Sequence, residues 1–200
     1  MIPLVVLAAG RSSRMGRPKA TLALPGGDTF LSRIVGTAAI AGVEETVVVV
    51  GHEADLIVET FDASRLSARF VRNPEYDRGQ LSSVLAGLAV IDRPGVGAML
   101  LTLVDVPLVS AATIRAVLDG YRRTHAPIVR PVRGGRHGHP VLIDRSLFDA
   151  LRRADPSAGA RPVVRAHATP AGELEVDDAG AFVDIDTPAE YERLADGPVE

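Results

Sequence analysis

The chain has 200 residues, no cysteine and a formal net charge of −3. That length suits one domain with a sizeable core, and the missing thiols exclude disulfides, thiolate metal ligands and cysteine nucleophiles. The mild negative charge gives no reason to expect nucleic acid as a partner. Apolar residues make up 46% and aromatics 4%, so the core must be built from Val, Leu, Ile and Ala. No apolar run is long enough to cross a bilayer, and no basic stretch or cleavage signal precedes the first strand. The expectation is therefore a cytoplasmic protein with no membrane contact.

Strand-like and helix-like stretches alternate along the chain, which predicts βαβ units and a mostly parallel sheet. A continuous apolar run, about Pro3 to Leu7, reads as a buried strand. It breaks into Ala8-Ala9-Gly10, then Ser12 and Ser13, with the cations Arg14 and Lys19 beyond. Small residues let a ligand approach the main chain, whose N–H groups suit phosphate oxygens. Arg14 offers a fork and Lys19 a point charge to a polyphosphate. The spacing matches neither a Walker A loop nor Gly-x-Gly-x-x-Gly. Thr29 predicts a helix cap ahead of Phe30, Ile34, Val35 and Ala38, and Gly42 predicts its end. Thr46 to Val50 is the plainest strand, and His52 behind it reads as a loop residue. A helix through Ile57 and Phe61 and a weak strand at Ala68 to Val71 follow.

Asn73-Pro74 then breaks the chain, Gly79 permits an unusual turn, and Ser82 or Ser83 is expected to open a helix. A helix start beside a phosphate loop offers N–H and hydroxyl groups to a ligand. Gly97 to Val104 predicts a buried strand that ends on Asp105, a position where open α/β sheets bind ligands. Ser110 is the better cap for the next helix, to about Thr124, which leaves Asp105 free for another role. Pro127 to Val132 reads as a strand. His137 and His139 alternate and are expected to share a strand face, but two His with no Cys do not make a zinc site. Leu147 and Leu151 mark a short helix, and Arg161 opens the next segment. Thr187, Pro188 and Glu190 form a capping box, which leaves Asp184 and Asp186 unexplained on one face of a predicted strand.

The run Leu7-Ala8-Ala9-Gly10-x-Ser12-x-Arg14-Met15-Gly16-x-Pro18-Lys19 resembles the signature loop of the molybdenum cofactor nucleotidyltransferases (MobA-like). Further matching stretches reach the last helix, so the resemblance covers nearly the whole chain. It implies a single Rossmann-like three-layer α/β/α domain over residues 1–196 with a mostly parallel mixed sheet, of the nucleotide-diphospho-sugar transferase type, and a tail at 197–200. It implies that Leu7, Ala8, Ala9, Gly10, Arg14 and Lys19 wrap a nucleoside triphosphate. Gly79 and Ser83 would lie near the base, with Asn73 and Ser82 as further candidates. Leu103-x-Asp105-x-Pro107 resembles the family's metal motif, so Asp105, with Asp186 and then Asp184, would hold Mg²⁺. Gly138-His139-Pro140 resembles the segment facing the acceptor, with Arg133, Arg136 and Arg161 as weaker contacts. The implied catalytic set is Arg14, Lys19 and Asp105.

Family members that use GTP tend to carry Leu-Ala-Gly-Gly, whereas Ala9 here matches the CTP type. The implied acceptor is molybdopterin bearing molybdenum, with a molybdoenzyme or its chaperone as a further partner. The competing readings are GTP as donor, a sugar or alditol phosphate as acceptor, and a non-catalytic cofactor carrier.

Overall fold

The computed structural model describes residues 1–196. The predicted tail, 197–200, lies outside them. Among the described residues, eight strands form one mixed sheet: β1 (Leu4–Ala8), β2 (Thr46–Val50), β3 (Arg69–Arg72), β4 (Ala98–Leu103), β5 (Ile128–Arg133), β6 (Arg136–His137), β7 (Val141–Asp144) and β8 (Glu173–Glu175). Their order is β3-β2-β1-β4-β7-β5-β6, with β8 on β5. Strands β3, β2, β1 and β4 are parallel throughout; β7 runs antiparallel between β4 and β5.

Both faces of this sheet are covered, and the alternation of side chains along β1 shows how. Leu4, Val6 and Ala8 pack with α1 (Phe30–Ile40), α2 (Ala54–Asp62) and α4 (Ala111–Thr124). Val5, Leu7 and Ala9 pack with α3 (Gln80–Ile91), α5 (Phe148–Arg152) and α6 (Arg161–His167). A strand buried on both faces needs a continuous apolar run, which is why β1 and β2 lack polar alternation. Each fully buried Val or Leu there contributes about 1.5–3 kcal/mol before entropy is charged against it. No helix among the described residues is long and apolar enough to cross a membrane.

The predicted caps hold at three helices. Thr29 and Ser32 cap α1 reciprocally, and Ser110 caps α4. Glu190 reaches back to the N–H groups of Asp186 and Thr187 at the start of α7 (Pro188–Asp196). Helix α3 differs from expectation. It begins at Gln80, capped by Gly79 at φ 104°, not by a serine. Ser82 instead turns its hydroxyl back onto the Gly79 and Glu75 carbonyls, so the first N–H groups of α3 receive no side-chain cap.

Two strand assignments also differ. His137 ends the two-residue β6, so His137 and His139 do not share a strand face. Asp184 and Asp186 lie on an irregular segment, not a strand; its Ile185 N–H donates to the Asp105 carbonyl at 2.8 Å. That single bond lashes the segment to the end of β4.

From β1 the chain builds outward through β2 and β3, then crosses to β4 on β1's other side. A crevice opens at the carboxyl ends of strands where the order reverses in this way.

Candidate active site

A cleft of about 350 Å³ occupies that crevice. The loop from Leu7 to Gly10, with Ser12, Ser13, Arg14, Pro18 and Lys19, forms one side. Tyr76, Asp77, Gly79, Gln80 and Ser83 form another, and Asp105 and Asp186 complete the lining. The loop is held from within. Ser12, in the left-handed region at φ 49°, accepts the Lys19 N–H on its hydroxyl and the Met15 N–H on its carbonyl. A Cβ added at Gly10 would meet no protein atom within 4 Å, so the space above this glycine is open for a ligand.

The electrostatic centre is Lys19. Its side chain is 9% exposed, and its Nζ lies 3.2 Å from Asp105 Oδ2 and 2.5 Å from Asp186 Oδ1. Arg14 reaches the other Asp186 oxygen at 3.4 Å from the solvent side. The Lys19 hydrogen bond is the main reason the Asp186 carboxyl sits below its ordinary range. Asp184 is pushed the other way, first by burial and then by the neighbouring Asp105 carboxylate. Burial likewise lowers His139, whose Nδ1 lies 3.4 Å from the Leu101 carbonyl.

One atom of this cluster has no partner. Asp105 Oδ1 is buried and makes no hydrogen bond. A buried, unsatisfied carboxylate oxygen is costly and fits a cation. Among the described residues, no three His, Asp or Glu side chains converge to hold a metal ion. The donor set is therefore not a closed protein cage. It fits an ion such as Mg²⁺, which takes one or two carboxylates and fills its octahedron with phosphate oxygens and water.

The cleft brings together Leu7, Ala8, Ala9, Gly10, Arg14, Lys19, Gly79, Ser83, Asp105 and Asp186 of the expected residues. Others stand outside it. Asn73 and Ser82 line an adjoining crevice with Glu75 and Arg78, and the Asn73 amide is spent on the chain itself. Gly138 is buried, where its lack of a Cβ admits the Ala181 carbonyl and the Phe182 ring. Pro140 lines a small apolar pocket with Leu4, Ile34 and Val109. Arg133 pairs with Asp177, and Arg136 donates to the Phe182 carbonyl. Gly138 and Pro140 thus pack into the interior on either side of His139. The His52 backbone N–H donates to the Ala9 carbonyl, which ties β2 to the loop.

Three lining residues carried no sequence signal of a site: Tyr76, Asp77 and Gln80. Tyr76 packs on Gly51, where a Cβ would come within 2.7 Å of it, and the Arg11 guanidinium lies 5.5 Å from its ring centroid. A clue lay in Gly51 itself, a glycine ending a strand that has no need of conformational freedom.

Residues 4–171 match the family described as the MobA-like NTP transferase domain. The chain belongs to that family. Relatives named molybdenum cofactor cytidylyltransferase and guanylyltransferase are nucleotidyltransferases, and this chain is an enzyme of that kind. The nicotine blue oxidoreductase of Paenarthrobacter nicotinovorans is 31% identical over 198 residues, covering 95% of this chain and 94% of its own. The molybdenum cofactor cytidylyltransferase of Escherichia coli is 25% identical over 191 residues, covering 95% and 93%. Among solved structures, the manganese complex of Rv0371c from Mycobacterium tuberculosis superposes with a TM-score of 0.79 at 28% identity. That likeness covers 98% of this chain and 99% of the other. The MobA-like fold is thus shared end to end, and the mixed three-layer domain matches the expectation.

Proposed function

We propose that this enzyme joins the nucleotide of a nucleoside triphosphate, CTP by preference, to the phosphate of a molybdopterin-type acceptor and releases pyrophosphate. The observation that carries the reading is the Lys19 ammonium seated between Asp105 and Asp186 at the carboxyl end of β4, under an open glycine loop. The cytidylyltransferase name of one relative and the Ala9 of the loop support CTP.

In the reaction an oxygen of the acceptor phosphate attacks the α-phosphorus. The bond from that phosphorus to the bridging oxygen of the β-phosphate breaks, and its electron pair leaves with pyrophosphate. No covalent enzyme intermediate is required, so catalysis rests on positioning and charge. Loop N–H groups hold the phosphates, while Arg14 and Lys19 neutralise the leaving pyrophosphate. Asp105 and Asp186 would hold Mg²⁺, with Asp184 as the second candidate after Asp186, and the ion would offset charge developing on the phosphoryl oxygens. Burial holds His139 below the ordinary imidazole range beside this cluster, and the reading assigns it to the acceptor's side. A cytoplasmic setting and delivery to a molybdoenzyme or its chaperone follow from the same reading.

The test is pyrophosphate release with Mg²⁺ and molybdenum-loaded molybdopterin, in parallel with sugar and alditol phosphates. A second reading comes from the relative named an oxidoreductase, which matches this chain end to end. Redox turnover with no pyrophosphate released would favour it.

A further inference from the structure

Lys19 is the only lysine among the 22 Lys and Arg residues of the chain, and it stands at the electrostatic centre of the cleft. An arginine there would bring a rigid planar fork. A lysine brings a compact charge on a four-carbon stem that can swing. Its backbone is fixed, because the N–H donates to Ser12 Oγ at 3.2 Å and the carbonyl accepts the Leu22 N–H at 3.1 Å. The ammonium can therefore change partners while the main chain stays in place.

Those partners are oxygens that the mechanism above gives to Mg²⁺. Lys19 Nζ takes Asp105 Oδ2 and Asp186 Oδ1, and Arg14 takes Asp186 Oδ2. Of the four carboxylate oxygens, the buried Asp105 Oδ1 is left over. One oxygen is a poor hold on an ion that gives up water reluctantly. Nor can the ion share the oxygens of Lys19. At about 2.0–2.1 Å from Asp186 Oδ1 it would stand at most about 4.6 Å from Nζ, two like charges in a site largely shielded from water. Lys19 and Arg14 already balance Asp105 and Asp186, so an ion arriving alone leaves the cluster positive. A triphosphate reverses both objections. Its oxygens on the Gly10 loop draw the ammonium off the carboxylates, and it brings more negative charge than the ion brings positive.

We propose that Lys19 is a displaceable counter-ion, whose ammonium holds the metal-binding oxygens of Asp105 and Asp186 until a triphosphate takes it over. The divalent cation therefore enters with the nucleotide and not before it. This inference rests on the nucleotidyltransferase reading.

Two measurements test it. In the first, Mn²⁺ is titrated into the protein alone and free Mn²⁺ is followed by electron paramagnetic resonance. Wild type binds weakly, and Lys19→Met binds at least about tenfold more tightly, because the competing charge is gone. Lys19→Arg keeps a cation there and stays weak. Adding Asp105→Asn to Lys19→Met abolishes the gain, which separates binding at this site from binding elsewhere. Lys19→Gln decides the matter if Lys19→Met does not fold. In the second, ¹³C-lysine is incorporated, and the single lysine gives a single Cε resonance. Mg²⁺ alone leaves that resonance in place, whereas Mg²⁺ with the α,β-methylene analogue of CTP shifts it. Mn²⁺ affinity in Lys19→Met no higher than in wild type overturns the inference and leaves the nucleotide reading standing. A resonance that Mg²⁺ alone shifts as far as the analogue does has the same effect. Wild type that binds no analogue in the presence of Mg²⁺ overturns the nucleotide reading, and this inference with it.

Discussion

Replacing Gly138 with Ala forces a methyl group against backbone that cannot retreat. The added Cβ would lie 2.4 Å from the Ala181 carbonyl oxygen and 2.8 and 2.9 Å from two atoms of the Phe182 ring. That oxygen is pinned, since it accepts the His139 N–H at 2.9 Å, and the Phe182 side chain is itself buried. Overpacking by one methylene-sized group costs about 1–3 kcal/mol. In a domain of this size each kcal/mol moves Tm by about 2–4 °C, so the expected fall is about 2–12 °C. The strain also reaches the site, because Ala181 and Phe182 lead directly into Asp184 and Asp186. A shift of an ångström there is enough for a rate loss of about 10²-fold. Differential scanning calorimetry and kcat/KM for both substrates measure the two effects. An unchanged Tm with a raised KM for the acceptor alone would refute the packing account and make Gly138 an acceptor contact.

Asp105→Ala is expected to lower metal-dependent turnover by at least 10²-fold with a cooperative melt retained; full activity would remove Asp105 from the mechanism. Lys19→Met removes the hydrogen bond that holds Asp186 below its ordinary range. A depressed carboxyl stabilises the fold above its unfolded pKa of about 3.9 and loses that contribution as pH falls through the folded value. The Tm of wild type relative to Lys19→Met should therefore narrow between pH 6 and pH 3, and a constant difference would contradict the pairing. Burial lowers His139, so its contribution is present above about pH 6.5 and is lost as pH falls through the lower folded value. His139→Gln should show a smaller drop in Tm from pH 7.5 to pH 5.5 than wild type, and an equal drop would show that His139 is not the group responsible. Gly87→Ala sets a Cβ 2.6 Å from Val5 Cγ1 at the α3–β1 contact. A melting temperature equal to wild type would show that this contact yields freely.

Much of the frame was legible in the residues because it depends on local chemistry. Thr46 to Val50 is a strand at those very limits, since five β-branched residues in a row are fit for little else. Ser110 caps α4 and Asp105 stands free of that role, as their spacing required. The start of α3 was not legible. A serine near a helix start reads as a cap, but Ser82 donates to carbonyls instead of accepting a backbone N–H, and only the fold shows which. The same limit applies to Asn73 and Gly138. A motif marks residues a site needs without telling those that touch a ligand from those that hold its neighbours in place. Tyr76 escaped notice because its place in the cleft depends on packing against Gly51, twenty-five residues earlier in the chain.

The most direct measurement follows the α-phosphate of labelled CTP, with Mg²⁺ and molybdenum-loaded molybdopterin, and scores both pyrophosphate and the labelled product. The account predicts stoichiometric pyrophosphate and transfer of the label to the acceptor, lost in Asp105→Ala and in Lys19→Met. Binding of CTP with no pyrophosphate from this or any other nucleoside triphosphate, whatever phosphorylated acceptor is supplied, would contradict it.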